Sequence, residues 1–209
     1  MIKPVKISLI LILFISGFTF GGTVKNYSAD LVEINSNRII GKIYAAEQKL
    51  RLEIYDEKGV LTNISIIRMD RKKIYSMNAE SGTYVEFPIM GAKQSLYDNF
   101  LMIGQSFGVT PNIKRERLGT DTVSGYSASK FRNTTSIEIF NDKMVTVSYE
   151  WIAPEFDWPL RTQDDEGIVE MRNIKTKTPG DSLFEIPLNY KRDLDMEELF
   201  GEMGAWGGD

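Results

Sequence analysis

Apolar and polar residues alternate along the chain from residue 27 to about residue 87. Leu50, Leu52 and Ile54 alternate with Lys49, Arg51, Glu53 and Tyr55, the period-two signature of a strand with one wet face. Ile39, Gly41, Ile43 and Ala45 oppose Arg38, Lys42 and Tyr44, and Thr62, Ile64 and Ile66 share one side of the stretch from Val60 to Arg68. Ile74 to Met77 and Thr83 to Phe87 are shorter versions of the same pattern. The breaks carry turn residues: Asn35 to Asn37, Glu47 and Gln48, Asp56 to Gly59, and Ser81 with Gly82. Strands separated by such short breaks must be joined as hairpins, so this half is an antiparallel meander.

The period changes after Pro88. Leu96, Phe100, Ile103 and Phe107 fall at i, i+4, i+7 and i+11, a helical stripe over about 91–107 that Gly108 and Pro111 end. Lys93 and Asp98 are its only charges, so a single buried face would leave apolar surface over. The stretch reads as a helix pressed into a core or lying over a cavity. Alternation resumes over 121–132, 136–140, 144–152, 158–162 and 168–174, with a short apolar strand expected at Leu183 to Ile186. The pattern therefore predicts a mainly β chain of α+β class, with about eleven strands and one internal helix. Asp193 to Met203 reads as a short amphipathic helix in which Asp195 and Glu198 fit a capping box, followed by a flexible tail.

The first residues follow a different logic. Lys3 and Lys6 precede an apolar run from Ile7 to Phe18, and Thr19 and Gly21 supply small residues for a cut before Gly22. That is the form of a secretory signal, and the run is shorter than the ~20 residues that span a bilayer core. The expected organisation is a signal peptide at 1–21, a β domain at 22–192 and a C-terminal helix and tail at 193–209. The expected location is the periplasm, with no membrane-spanning segment left after cleavage. Loss of Lys3 and Lys6 moves the net charge from −4 to −6, which argues against nucleic acid as a partner.

The chain contains neither cysteine nor histidine. This excludes Cys/His nucleophile–base pairs, zinc sites of Cys/His type and thiol redox chemistry. An enzyme built from the remaining groups would use carboxylates, Lys, Ser or Tyr, and among the carboxylates Glu150, Glu155 and Asp157 lie near Trp151 and Trp158. A glycosidase needs two acids at a defined separation. The acids at 164–166 instead precede Gly167 between two expected strands, where a solvated turn belongs. No residue set reads as catalytic or metal-binding, and no cofactor is expected. Lys114 to Arg117, the one basic run, reads as a solvated connector, with contact to an acidic lipid headgroup as the alternative. The aromatics around Pro154 and around the helical stripe fit either a core or a cavity wall.

Three motifs together resemble a known family. They are Gly119 to Phe131, with Gly119, Gly125, Lys130 and Phe131 at fixed spacing; Trp151 to Arg161, with Pro159, Leu160 and Arg161 closing it; and Ser182 to Tyr190, with Leu183, Phe184, Ile186 and Pro187. Their order and spacing resemble the outer-membrane lipoprotein carrier (LolA/LolB-like) superfamily, in its uncharacterised exported branch. The resemblance implies a curved antiparallel sheet forming an unclosed half-barrel whose apolar face takes acyl chains. It carries no functional residue across, because these motifs mark fold. The leading expectation is thus a non-enzymatic exported protein holding a lipid or acyl-chain ligand, with Leu96, Phe100, Ile103, Phe107, Trp151 and Trp158 as candidate lining. The alternatives are an envelope module whose filled core leaves a protein partner to meet the acidic C-terminal helix, and, more remotely, a carboxylate-based hydrolase.

Overall fold

The structure is a computed structural model that describes residues 26–88, 110–139, 142–156 and 158–194. Twelve strands form one sheet: β1 (Tyr27–Glu33), β2 (Arg38–Ala46), β3 (Lys49–Tyr55), β4 (Leu61–Arg68), β5 (Lys73–Asn78), β6 (Thr83–Pro88), β7 (Thr110–Val123), β8 (Tyr126–Ile139), β9 (Asp142–Ile152), β10 (Arg161–Gln163), β11 (Ile168–Lys175) and β12 (Lys191–Arg192). Their spatial order is β12-β6-β5-β4-β3-β2-β1-β11-β10-β9-β8-β7. The order has two ends, so the sheet is not closed into a barrel, and every pair is antiparallel except β12 with β6.

Two meanders make this sheet. One, the inner meander, runs outward from β1 to β6; the other, the outer meander, returns from β7 to β11, and β1 pairs with β11 where they meet. The signal peptide, the helical stripe with Leu96, Phe100, Ile103 and Phe107, and nearly all of the C-terminal helix lie outside the described residues. Residues 89–109 join Pro88 on β6 to Thr110 on β7, strands near opposite ends of the sheet.

The expected strands are present over 38–55, 61–68 and 73–88, and four expectations change. Lys114 to Arg117 is no connector but the middle of β7, a 14-residue strand, and the expected strand at 121–132 is a hairpin tip. Its two-residue turn is Ser124 and Gly125, both at positive φ (50° and 84°) as a tight hairpin turn requires. Leu183 to Ile186 forms no strand; Asp181–Phe184 is a short 3-10 turn with Phe184 fully buried. The stretch expected over 158–162 pairs only as the three residues of β10.

Two buried clusters organise the core. Cross-strand register sets one side of the inner meander: Ala45 faces Leu50, Leu50 faces Ile67, and Ile67 faces Ile74. Ile43, Leu52, Ala29 and Leu31 share that side and are buried. The cluster continues through Met171, Leu160, Trp158 and Trp151, and the Phe156 ring meets Tyr27 and Tyr126 edge-on at 5.1 and 4.8 Å. The other side carries Ile64, Ile66, Tyr75 and Met77, covered by Phe184 with Leu183, Ile186 and Tyr190. Arg51 and Glu53 lie on that second side and are buried too, so the face of β3 expected to be wet is roofed by the C-terminal segment.

Gly41 on β2 lies between Leu31 on β1 and Ile54 on β3. A Cβ there would lie 2.6 Å from the Glu53 carbonyl oxygen and 3.3 Å from a Leu31 methyl. Gly41→Ala is expected to destabilise the fold by roughly 1–3 kcal/mol, the usual cost of overpacking, because the obstacle is backbone. Equilibrium urea denaturation checks this; an unchanged midpoint would contradict the register that sets Gly41 opposite Leu31 and Ile54.

Candidate functional site

Two of the three sequence motifs converge on one side chain. Lys130 on β8 and Arg161 on β10 are the cross-strand neighbours of Trp151 on β9. The Lys130 ammonium lies 4.6 Å from the Trp151 ring centroid and the Arg161 guanidinium 5.3 Å from it, so two cations flank one indole. The indole N–H donates to an Asp121 carboxylate oxygen at 3.1 Å. Two Arg161 nitrogens donate to Glu170 at 2.9 and 2.6 Å. Asp121 is held below the usual carboxylate range by the Thr122 backbone N–H and the indole. Burial alone would raise Glu170, yet hydrogen bonds and charge from Arg161 hold it below its ordinary value.

This constellation clamps strands rather than offering a reacting group. Trp151 is only 3% exposed and its faces are occupied by the two cations. The hairpin that carries Lys130 is tied inward as well: Ser124 donates to the Met171 carbonyl at 2.7 Å. That bond explains a serine at a left-handed position that favours Asn or Gly. β10 ends after three residues, and the tip of the β7–β8 hairpin serves the stretch of β11 that it leaves.

The opposite side of the outer meander is polar. Val169 faces Thr162, Thr162 faces Glu150, and Glu150 faces Phe131, which faces Arg117. One step along, Ser148 faces Asn133, which faces Arg115. Val169 lies two residues from Met171, the partner of Leu31, so this side continues the apolar side of the inner meander. Glu150, Asn133 and Ser148 are buried. Arg115 donates to Glu150 at 2.7 Å, with its guanidinium 4.2 Å from the Phe131 ring centroid. The single face of the sheet is therefore apolar from β5 to β10 and polar from β9 to β7.

The structure describes two of the three candidate hydrolase acids. Glu150 is paired with Arg115 on β7, whereas Glu155 sits in the loop before β10. Asp157 lies outside the described residues. Asp164 accepts the backbone N–H groups of Glu166 and Gly167, as a solvated turn would. Among the described residues no group of three or more acids is placed to hold a metal ion. Of the six candidate lining residues, Trp151 and Trp158 are buried within the larger cluster and the other four lie outside the described residues. Sequence reasoning missed the Arg115–Glu150 pair, since a charge within alternating residues signals a wet face.

The third motif fastens the C-terminal segment. Arg68, 3% exposed, donates to both Asp70 oxygens, to the Phe184 carbonyl and to Glu185. Arg71 donates twice to Glu185, Lys49 pairs with Asp181, and Arg51 donates to the Leu183 carbonyl. The carbonyls of Leu183 and Phe184 thus find guanidinium donors where a strand would have used a neighbour.

No family profile and no curated protein matches the sequence. The fold is similar to solved structures at low identity. An uncharacterized conserved protein from Thermus thermophilus has 12% identity and a TM-score of 0.46, over 81% of this chain and 90% of that one. MucB has 10% identity and a TM-score of 0.40, over 86% and 62%. The Mycobacterium tuberculosis lipoprotein LppX has 11% identity and a TM-score of 0.35, over 77% and 91%.

Arg68 lowers the pKa of Asp70, Arg71 with Arg68 lowers that of Glu185, and Lys49 lowers that of Asp181. Depressed carboxylates contribute stability that is complete above their unfolded values of about 4 and is lost as pH falls through the lower folded values. The urea midpoint is therefore expected to drop between about pH 4.5 and pH 2.5, and Glu185→Gln to flatten that drop. An equally steep acid limb in the variant would show that Glu185 contributes nothing to it.

Proposed function

We propose that this chain is an exported, non-enzymatic protein that holds a lipid or other apolar ligand against one face of an unclosed half-barrel. The observation that carries this reading is the apolar row on a single sheet face, running from Ile74 through Ile67, Leu50, Ile43 and Leu31 to Met171 and Leu160. A closed small barrel fills such a face with its own side chains, whereas an open one leaves room for a ligand between its margins.

Connectivity supports the same reading. The apolar stripe of Leu96, Phe100, Ile103 and Phe107 belongs to the segment that links β6 to β7, so its ends are tethered near both margins of the sheet. These residues are the proposed cover; Trp158 belongs to the buried cluster beneath that face, whereas Trp151, next to the face-lining Glu150 on β9, lies on the reverse of the sheet. Among the described residues no helix is long and apolar enough to cross a membrane. The motifs at Gly119–Phe131, Trp151–Arg161 and Ser182–Tyr190 add the likeness to lipoprotein carriers.

Each buried methylene contributes about 0.8 kcal/mol, so partial burial of one acyl chain is enough for useful affinity. Detergent-free protein should carry co-purified lipid visible by native mass spectrometry, or, once delipidated, should melt at higher temperature with added fatty acid or phospholipid. Absence of bound lipid together with an unmoved melting temperature would defeat the proposal.

A further inference from the structure

The polar end of the ligand-bearing face has a chemistry of its own. Arg115 and Arg117 stand two residues apart on β7 and so share one side of the strand, roughly 7 Å apart. Arg115 gives one terminal nitrogen to Glu150 and stacks on Phe131. Arg117 donates only to the hydroxyls of Thr120 and Ser129, at 3.1 and 3.4 Å, and has no carboxylate within ion-pair distance among the described residues. Glu150 is buried, with its side chain 1% exposed, so it orients Arg115 from beneath while offering nothing to solvent.

The result is one guanidinium stacked on the Phe131 ring and a second two residues along the same strand, with one carboxylate paired to the first and several N–H donors unspent. Charges on an edge strand also discourage strand addition. That role asks for no buried acid beneath them and no position continuous with an apolar face. Guanidinium forks match phosphate oxygens in pairs, which an ammonium does not.

We infer that Arg115 and Arg117 form a headgroup site for a phosphate-bearing amphiphile whose acyl chains lie on the apolar part of the same face. This rests on the ligand-binding reading above and adds the ligand's class: an anionic phospholipid rather than a neutral lipid. The acyl portion would run from β9 toward β1, and the phosphate would stay at the β7 margin.

Titration of the delipidated full chain with dioctanoyl phosphatidic acid, dioctanoylglycerol and inorganic phosphate separates the terms. The phosphatidic acid should bind at least about tenfold more tightly than the glycerol with the same chains, and the gap should narrow in high salt. Arg117→Gln should cut that preference to about threefold or less. Arg115→Gln combined with Glu150→Gln, which removes the pair without leaving a buried charge unmatched, should do the same. Lys58→Gln, in an exposed turn, should leave it intact.

Equal affinity for the two lipids would overturn the headgroup site and leave the apolar-ligand reading standing. Binding of neither lipid would overturn both. A preference that survives in both arginine variants would move the anion elsewhere and overturn the site. Inorganic phosphate binding as tightly as phosphatidic acid would show a free-anion site instead.

Discussion

The pairing of β1 with β11 makes one molecule out of two meanders. Each meander can form from neighbouring hairpins, but each alone would leave a long central strand as an open edge. Leu31 facing Met171, with the Ile34 N–H on the Ile168 carbonyl at 2.8 Å, joins them. The contact brings together the first and last long strands, so it carries a large loop-closure entropy and rewards the chain late in folding. Everything placed around it reinforces it: Phe156 between Tyr27 and Tyr126, and the Ser124 hydroxyl on the Met171 carbonyl. The continuous face on which the proposed ligand lies exists only because this pair aligns the two halves in register.

The C-terminal segment solves a different problem. Antiparallel strands with apolar residues on both sides need two covers, and the inner meander has one side left over. Phe184 and its neighbours fill it, at the expense of burying Arg51, Glu53 and Arg68. A buried ion pair contributes little net stability once desolvation is counted, but it leaves few alternatives for where the segment can sit. Here the same guanidinium groups satisfy the carbonyls that a 3-10 turn leaves unpaired.

Sequence legibility followed wetness. β2 to β6 could be read because one side of each strand is apolar and the breaks carry Asn, Gln or Gly at positive φ, as at Asn37, Gln48, Gly59 and Gly82. β7 could not, because an edge strand lined by Lys114, Arg115, Glu116 and Arg117 has no hydrophobic period to show. Leu183 to Ile186 imitated a strand, since two apolar residues pointing at a core look alike in a strand and in a tight turn. The glycines and Lys130 of the second half were visible as a pattern, but that pattern marks the Trp151 clamp and not a reacting site. Glu150 was legible as a candidate acid, but not as the buried partner of Arg115.

The central claim is that the two meanders form one cooperative sheet through β1 and β11. Native-state hydrogen exchange, followed by mass spectrometry of peptides from β1, β3, β9 and β11, tests it most directly. Amides of β1 and β11 should exchange only with global unfolding, with the same denaturant dependence as those of β3. Exchange of β9 and β11 together, at lower free energy and independently of β1 to β5, would show two separate units and contradict it.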